Sequence, residues 1–167
     1  MVHRSSSAAK GFTLIELMIT IAIAAIFASL AAPGFRQLIA SQRIRTASFD
    51  FVSALGYARS EAVKRNTTVT LRAGASADGA WTTGWRVVDP SNTAVILRSW
   101  NAGSNLSLTE KASNQTTVQF GLDGRMPAGS TQPKLQIEPS STISGVTARC
   151  VQVDLTGRPS SSTGACP

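Results

Sequence analysis

Apolar residues crowd the first part of the chain and thin out after it. From Leu17 to Phe35 there are 19 residues without a charge. At about 1.5 Å of rise per residue, a helix of that length spans roughly 30 Å, the thickness of a bilayer's hydrocarbon core. Leu17 to Ala32 contain neither Pro nor Gly, and Ile, Ala and Leu surround the helix on every side, which suits lipid better than a protein surface. A secretory signal peptide is the first alternative, since it too has a basic start and an apolar stretch. Here the run is long, carries Glu16 near its head and ends without a clean small-x-small cleavage pattern. It reads as a retained anchor.

Glu16 is the anomaly. A carboxylate costs roughly 3 kcal/mol at the bilayer centre and less at the interface. Either it snorkels out at headgroup level, or it meets a cation of another subunit once helices bundle.

Pro33-Gly34 interrupts the run and predicts a kink or local melting, because proline removes a hydrogen bond and crowds the preceding turn. Beyond it Ile44, Ala47, Phe51, Leu55, Ala58 and Ala62 recur at steps of three and four, one apolar stripe on a helix. Arg43, Arg45, Asp50, Arg59, Lys64 and Arg65 fall largely outside that stripe. A single helix over about Thr13–Lys64 follows, stopped by Asn66-Thr67-Thr68. Arg43 and Arg45 form a solvated face or touch anionic headgroups or neighbouring subunits.

From Thr67 the pattern turns to β. Strand-like runs are Thr68–Arg72, Trp85–Asp89, Ala94–Trp100, Thr117–Phe120, Lys134–Glu138 and Arg149–Leu155, separated by Gly, Pro, Ser, Asn and Asp. Pro90-Ser91-Asn92-Thr93 makes the second and third a hairpin. In the last run Cys150, Gln152 and Asp154 alternate with Val151, Val153 and Leu155. The expected fold is α+β: a long helix whose second half packs on a small antiparallel sheet, burying both apolar faces.

The chain has 167 residues, about one domain. Its 16 Lys and Arg against 9 Asp and Glu give a net charge of +7, and 15% charged residues is well below an average soluble domain. A disordered acidic tail, a multi-pass membrane protein and a disulfide-dense miniprotein are excluded. One His and two Cys fall short of the four ligands that a structural zinc centre wants; neither a metal nor another cofactor is expected.

Lys10-Gly11-Phe12-Thr13-Leu14-Ile15-Glu16-Leu17 resembles the leader junction of type IV prepilins and type II secretion pseudopilins. The resemblance implies that a prepilin peptidase cuts between Gly11 and Phe12 and methylates Phe12. It implies too that Glu16 pairs with the N-terminal amine of a neighbouring subunit. Residues 1–11 would then be a leader, 12–40 the membrane and assembly half of the helix, 41–66 its amphipathic half, and 67–167 a β-rich periplasmic head. Removing the leader takes Arg4 and Lys10, leaving +5. Basic residues flank both ends of the apolar run, so charge does not fix its orientation. The resemblance does, with the leader cytoplasmic and the head periplasmic until the chain enters a pilus on the cell surface.

Tyr57-Ala58-Arg59-Ser60-Glu61-Ala62-Val63-Lys64-Arg65 leading into Val69-Thr70-Leu71 resembles FimT/FimU-type minor pilins and GspH-type pseudopilins. So do Val118-Gln119-Phe120-Gly121-Leu122-Asp123-Gly124-Arg125 and Val151-Gln152-Val153-Asp154 with Thr156-Gly157-Arg158. This implies the type IV pilin fold, other major and minor pilins as partners, and a place in a priming or tip complex; the alternative is a minor pseudopilin of a type II secretion system. In the oxidising compartment so inferred, Cys150 and Cys166 are expected to be bridged, tying the tail to the last strand.

No catalytic constellation stands out. The one His, His3, lies in the leader, and Gly121-Leu122-Asp123-Gly124 lacks the phosphate-loop spacing. An enzyme is not expected. FimT-like minor pilins that take up DNA use a Gly-Arg-x-Arg tail motif; here Gly157-Arg158-Pro159-Ser160 keeps the first Arg and has Ser160 for the second. Residues 67–167 carry eight basic and six acidic groups, +2. DNA contact is therefore expected to be weak and salt-sensitive, through Arg125, Lys134, Arg149 and Arg158.

Overall fold

A computed structural model describes residues 11–77 and 79–167; residues 1–10 of the expected leader lie outside them. The first element is helix α1, Leu14–Arg65, which contributes to two compact units, one ending at Arg36 and the other Gln37–Pro167. Pro33 stands inside α1, so of the two expectations, a kink or local melting, the helix does not show the melting. Its carboxyl end follows local chemistry closely. Asn66 takes the left-handed conformation (φ 53°), and the N–H groups of Asn66 and Thr67 bond back to the Val63 and Ala62 carbonyls at 3.3 and 3.2 Å. That geometry satisfies the last orphan carbonyls and turns the chain out of the helix.

Within Gln37–Pro167 the strands form two antiparallel four-stranded sheets. The first comprises β1 (Val69–Ala73), β2 (Trp85–Val88), β3 (Ile96–Trp100) and β5 (Thr117–Phe120), in the order β3-β2-β1-β5. The second comprises β4 (Leu106–Glu110), β6 (Lys134–Pro139), β7 (Arg149–Val153) and β8 (Pro159–Thr163), in the order β4-β6-β7-β8. The β2–β3 hairpin forms as its turn residues require, with Trp85 opposite Trp100 and an irregularity between Val87 and Val88.

One sheet becomes two because β4 and β8 escape the sequence pattern. Leu106-Ser107-Leu108-Thr109-Glu110 does alternate, and its burial alternates with it, but two leucines among polar residues are a thin signal. β8 is Pro159 followed by serines and Thr163; nothing in it is buried. It is a strand only because β7 offers it a ladder, Arg149 opposite Thr163 through Val153 opposite Pro159. The run from Arg149 ends as a strand at Val153, and Leu155, expected on its apolar face, is exposed. Cys150, expected on the polar side, is buried.

The core joins the α1 stripe to both sheets. Ile44, Ala47, Phe51, Leu55, Ala58 and Ala62 are all buried, in one cluster with Leu71, Trp85, Val87 and Phe120 of the first sheet and Leu108, Leu135, Ile137 and Val151 of the second. Phe51 meets Trp81 and Trp85 edge-on, at centroid distances of 5.4 and 5.1 Å. Such contacts add about 0.5–1.5 kcal/mol each beyond area burial. At the helix end Arg65 donates to Glu61 (2.6 Å) and to Asp89 (2.7 Å), tying α1 to the β2–β3 turn.

Glu110 holds the second sheet's edge. Buried at the end of β4, it accepts N–H bonds from Ala112 (3.0 Å), Ser113 (2.9 Å), Gln115 (3.1 Å) and Lys134 (3.0 Å). Burial alone would raise its pKa, but these four donors hold the carboxyl below its ordinary value. A depressed folded-state pKa means the stabilisation is complete above the unfolded value, near 4.3, and is lost as pH falls through the folded one. Glu110→Gln is expected to cost about 2 kcal/mol at pH 7 and to flatten the loss of stability in acid. Denaturant titrations of the full chain in neutral detergent at pH 7 and below 4 check this; an unchanged acid profile would contradict it.

Candidate assembly site

The amino-terminal unit presents its chemistry outward. Each described residue from Gly11 to Arg36 is exposed, including Phe12, Leu14, Ile15, Leu17, Ile26, Phe27 and Leu30. α1 is long and apolar enough here to cross a membrane. Burying these side chains requires lipid or other chains, at about 25 cal/mol per Å² of apolar surface covered.

Thr13 and Glu16 are brought together by the start of the helix. Thr13 is the residue before its first turn, and its hydroxyl oxygen accepts the Glu16 backbone N–H at 3.2 Å. Glu16 Oε2 in turn accepts from the Thr13 backbone N–H and from its hydroxyl, both at 3.0 Å. This reciprocal arrangement is a capping box, legible in the Thr-x-x-Glu spacing though not singled out above. It fixes the carboxylate beside Phe12 and leaves Oε1 without a partner among the described residues. A second acceptor oxygen at the head of an exposed apolar helix can take a cation supplied by another chain.

In the head, Cys150 and Cys166 are bridged, with Cα atoms 5.0 Å apart. Closing a loop of this length contributes about 3 kcal/mol in the chain-entropy model. The Cys166 N–H also donates to the Gln136 side chain at 3.3 Å, so the tail lies on the outer face of the second sheet.

The four cations expected to meet DNA do not share a surface. Arg125 and Arg158 come together because their turns interlock: Gly157 (φ 77°) sits so close to Gly124 that a Cβ on it would lie 2.1 Å from the Gly124 carbonyl oxygen. Gly124 (φ 73°) in turn packs on Arg59 and Val63 of α1, which adds Arg59 to that end of the head. Asp123 and Asp154 brace the two turns by accepting the Arg125 and Arg158 backbone N–H groups at 3.0 and 2.9 Å. The Thr156 hydroxyl, followed by the Arg158 N–H, holds the Asp154 carboxyl below its ordinary pKa. Lys134 is elsewhere, paired across strands with Gln152 and donating to the Pro167 carbonyl at 3.2 Å. Arg149, opposite Ile137 and Thr163, is on the other face of the same sheet, beside α1. Sheet alternation separates them, and the sequence alone could not show which residues of β6 and β7 share a face.

Residues 47–157, more than half of the chain, match the family model of the type II transport protein GspH. The chain belongs to the GspH family. Residues 6–32 of this GspH-family chain match the prokaryotic N-terminal methylation motif, which contains Gly11, Phe12 and Glu16. Among solved structures, the crystal structure of the type IV minor pilin FimU of Pseudomonas aeruginosa PAO1 is similar, with a TM-score of 0.58 and 22% identity over 75% of this chain and 90% of that one. The solution structure of Escherichia coli GspH gives a TM-score of 0.52 and 18% identity, covering 77% and 94%. No curated protein matches the chain. At these identities the structures establish the shared fold: a long amino-terminal helix on antiparallel sheets. A GspH-family chain with this fold and an N-methylation motif is a type IV minor pilin or GspH-like pseudopilin.

Proposed function

We propose that the chain is a minor pilin, processed between Gly11 and Phe12 by a prepilin peptidase and built into the priming or tip complex of a type IV pilus. It acts by assembly and has no catalytic activity of its own. Before assembly the 12–40 segment anchors it in the inner membrane with the head in the periplasm; afterwards the same segment packs against other major and minor pilins. The observation that carries this reading is the exposed apolar stretch of α1 up to Arg36, headed by Glu16, whose carboxylate keeps one oxygen without a partner among the described residues. That open oxygen suits a neighbouring N-terminal amine.

The family match favours a second reading, a minor pseudopilin of a type II secretion system, which shares the anchor and the fold. Deleting the gene in its native host separates the two. Loss of twitching or transformation with secretion intact supports the pilus; loss of exoprotein secretion with motility intact overturns it in favour of the secretion filament.

DNA contact belongs to the pilus reading and falls to the Arg59–Arg125–Arg158 end of the head. With three cations neutralising about three phosphates, log K should fall by roughly 2.7 per tenfold rise in salt. Gel shifts should therefore appear at low salt, fade near physiological salt and weaken in Arg158→Ala. No shift at low salt would contradict it.

A further inference from the structure

A polar cavity of about 230 Å³ opens beside α1, lined by Ser41 and Arg45 of the helix, Thr147, Arg149 of β7 and Thr163 of β8. No carboxylate lines it. Neither guanidinium takes part in an ion pair among the described residues, where the salt bridges involve Lys64 and Arg65. Arg149 is held in place, its Nε and Nη2 donating to the Ser161 hydroxyl at 3.3 and 3.2 Å, while its Nη1 makes no hydrogen bond among the described residues. Arg45 makes no hydrogen bond among the described residues. Two arginines and three hydroxyl-bearing residues thus line one space that no carboxylate lines.

We propose that this cavity is a binding site for a phosphate-type oxyanion. Guanidinium groups bind phosphate with paired, charge-assisted hydrogen bonds, and hydroxyls satisfy the remaining oxygens. The tetrahedral anion fits this donor set better than a planar carboxylate, which two guanidiniums alone would saturate. The cavity volume exceeds that of one bound water many times over, leaving room for a phosphate with a substituent. The phosphate of an anionic lipid headgroup and free phosphate share this chemistry. The proposal does not depend on which filament the protein joins.

The test uses the full chain in zwitterionic detergent, following the Arg45 and Arg149 side-chain N–H resonances. Inorganic phosphate should shift both saturably, while chloride at equal ionic strength should not. Arg45→Gln and Arg149→Gln should each weaken the affinity about tenfold, the loss of one charge-assisted pair. Arg98→Gln, off the cavity with its guanidinium over the Tyr57 and Trp100 rings, should leave it unchanged. Thermal melts of each variant separate lost binding from lost folding, and Ser41→Ala, half-buried in the cavity lining, provides a milder second probe. Native mass spectrometry with phosphatidylglycerol then identifies the source. Retained lipid that both Gln variants lose makes the ligand a headgroup; saturable phosphate binding without retained lipid makes it free phosphate. Shifts that do not saturate, that chloride reproduces, or that survive both Gln substitutions would overturn the site.

Discussion

Phe51→Ala is expected to lower the stability of the head by about 3–5 kcal/mol, the range for removing a large aromatic side chain from a packed core. Phe51 is 2% exposed and stands between Trp81 and Trp85, edge-on to both. Its loss removes the transfer free energy of the ring and leaves a cavity with two tryptophan edges on it. Neither Trp can move freely into that space. Trp81 donates its indole N–H to the Gln115 carbonyl at 2.9 Å, and Trp85 is fixed by β-pairing to Ala73 on one side and Trp100 on the other. Phe51→Leu should cost less, because it refills part of the volume. Urea titration of the full chain in neutral detergent, followed by tryptophan fluorescence, gives the difference. A cost below about 1 kcal/mol would mean that the helix stripe is not the core described.

Glu16→Gln is expected to reduce incorporation into filaments at least tenfold, about 1.4 kcal/mol or more of assembly free energy, while leaving the head's melting unchanged. This substitution separates two roles of one side chain. Gln at this place still closes the capping box with Thr13, so the helix start is kept. What it removes is the charge that would pair with an ammonium of the next subunit in a medium where unpaired charge is costly. Thr13→Ala does the reverse, loosening the cap but keeping the carboxylate, and should have the smaller effect. If Thr13→Ala impairs incorporation as much as Glu16→Gln, the carboxylate serves the helix and not the neighbour. Filament shearing and immunoblotting of sheared and cell-bound fractions measure both.

Much of this architecture is legible from residue pattern. The stripe from Ile44 to Ala62 is buried to the last member because a 3.6-residue period leaves little choice of face. Five of the six strand-like runs shift by one or two residues, the first of them at both ends, and Thr117–Phe120 does not shift at all. What escapes is held by partners instead of by local preference. β8 has no apolar residue to bury and owes its form to the β7 ladder, and β4 offers two leucines in a polar stretch. Without these two strands a second sheet cannot be counted. The single long helix expected over Thr13–Lys64 forms, without melting at Pro33: one missing N–H is a local loss, and the apolar run on both sides keeps the helix going.

The candidate site divides along the same line. Gly11, Phe12 and Glu16 are contiguous, so their pattern survives in the sequence itself, as does the Thr13–Glu16 spacing. The spacing of Cys150 and Cys166 does not itself require a bridge; the inferred compartment favours one, and the fold contains it. Arg125, Lys134, Arg149 and Arg158 look alike as a list of cations near the tail. Strand alternation and two interlocked glycine turns decide that Arg125 and Arg158 meet, that Lys134 faces the tail and that Arg149 joins Arg45. No period in the sequence encodes that sorting.

One determination bears on the assembly reading most directly: the mass of the intact protein recovered from filaments of its native host. The account predicts a chain that starts at Phe12 and carries one added methyl group on its amine. Recovery of a chain that still begins at Met1 and carries no added methyl group would contradict it.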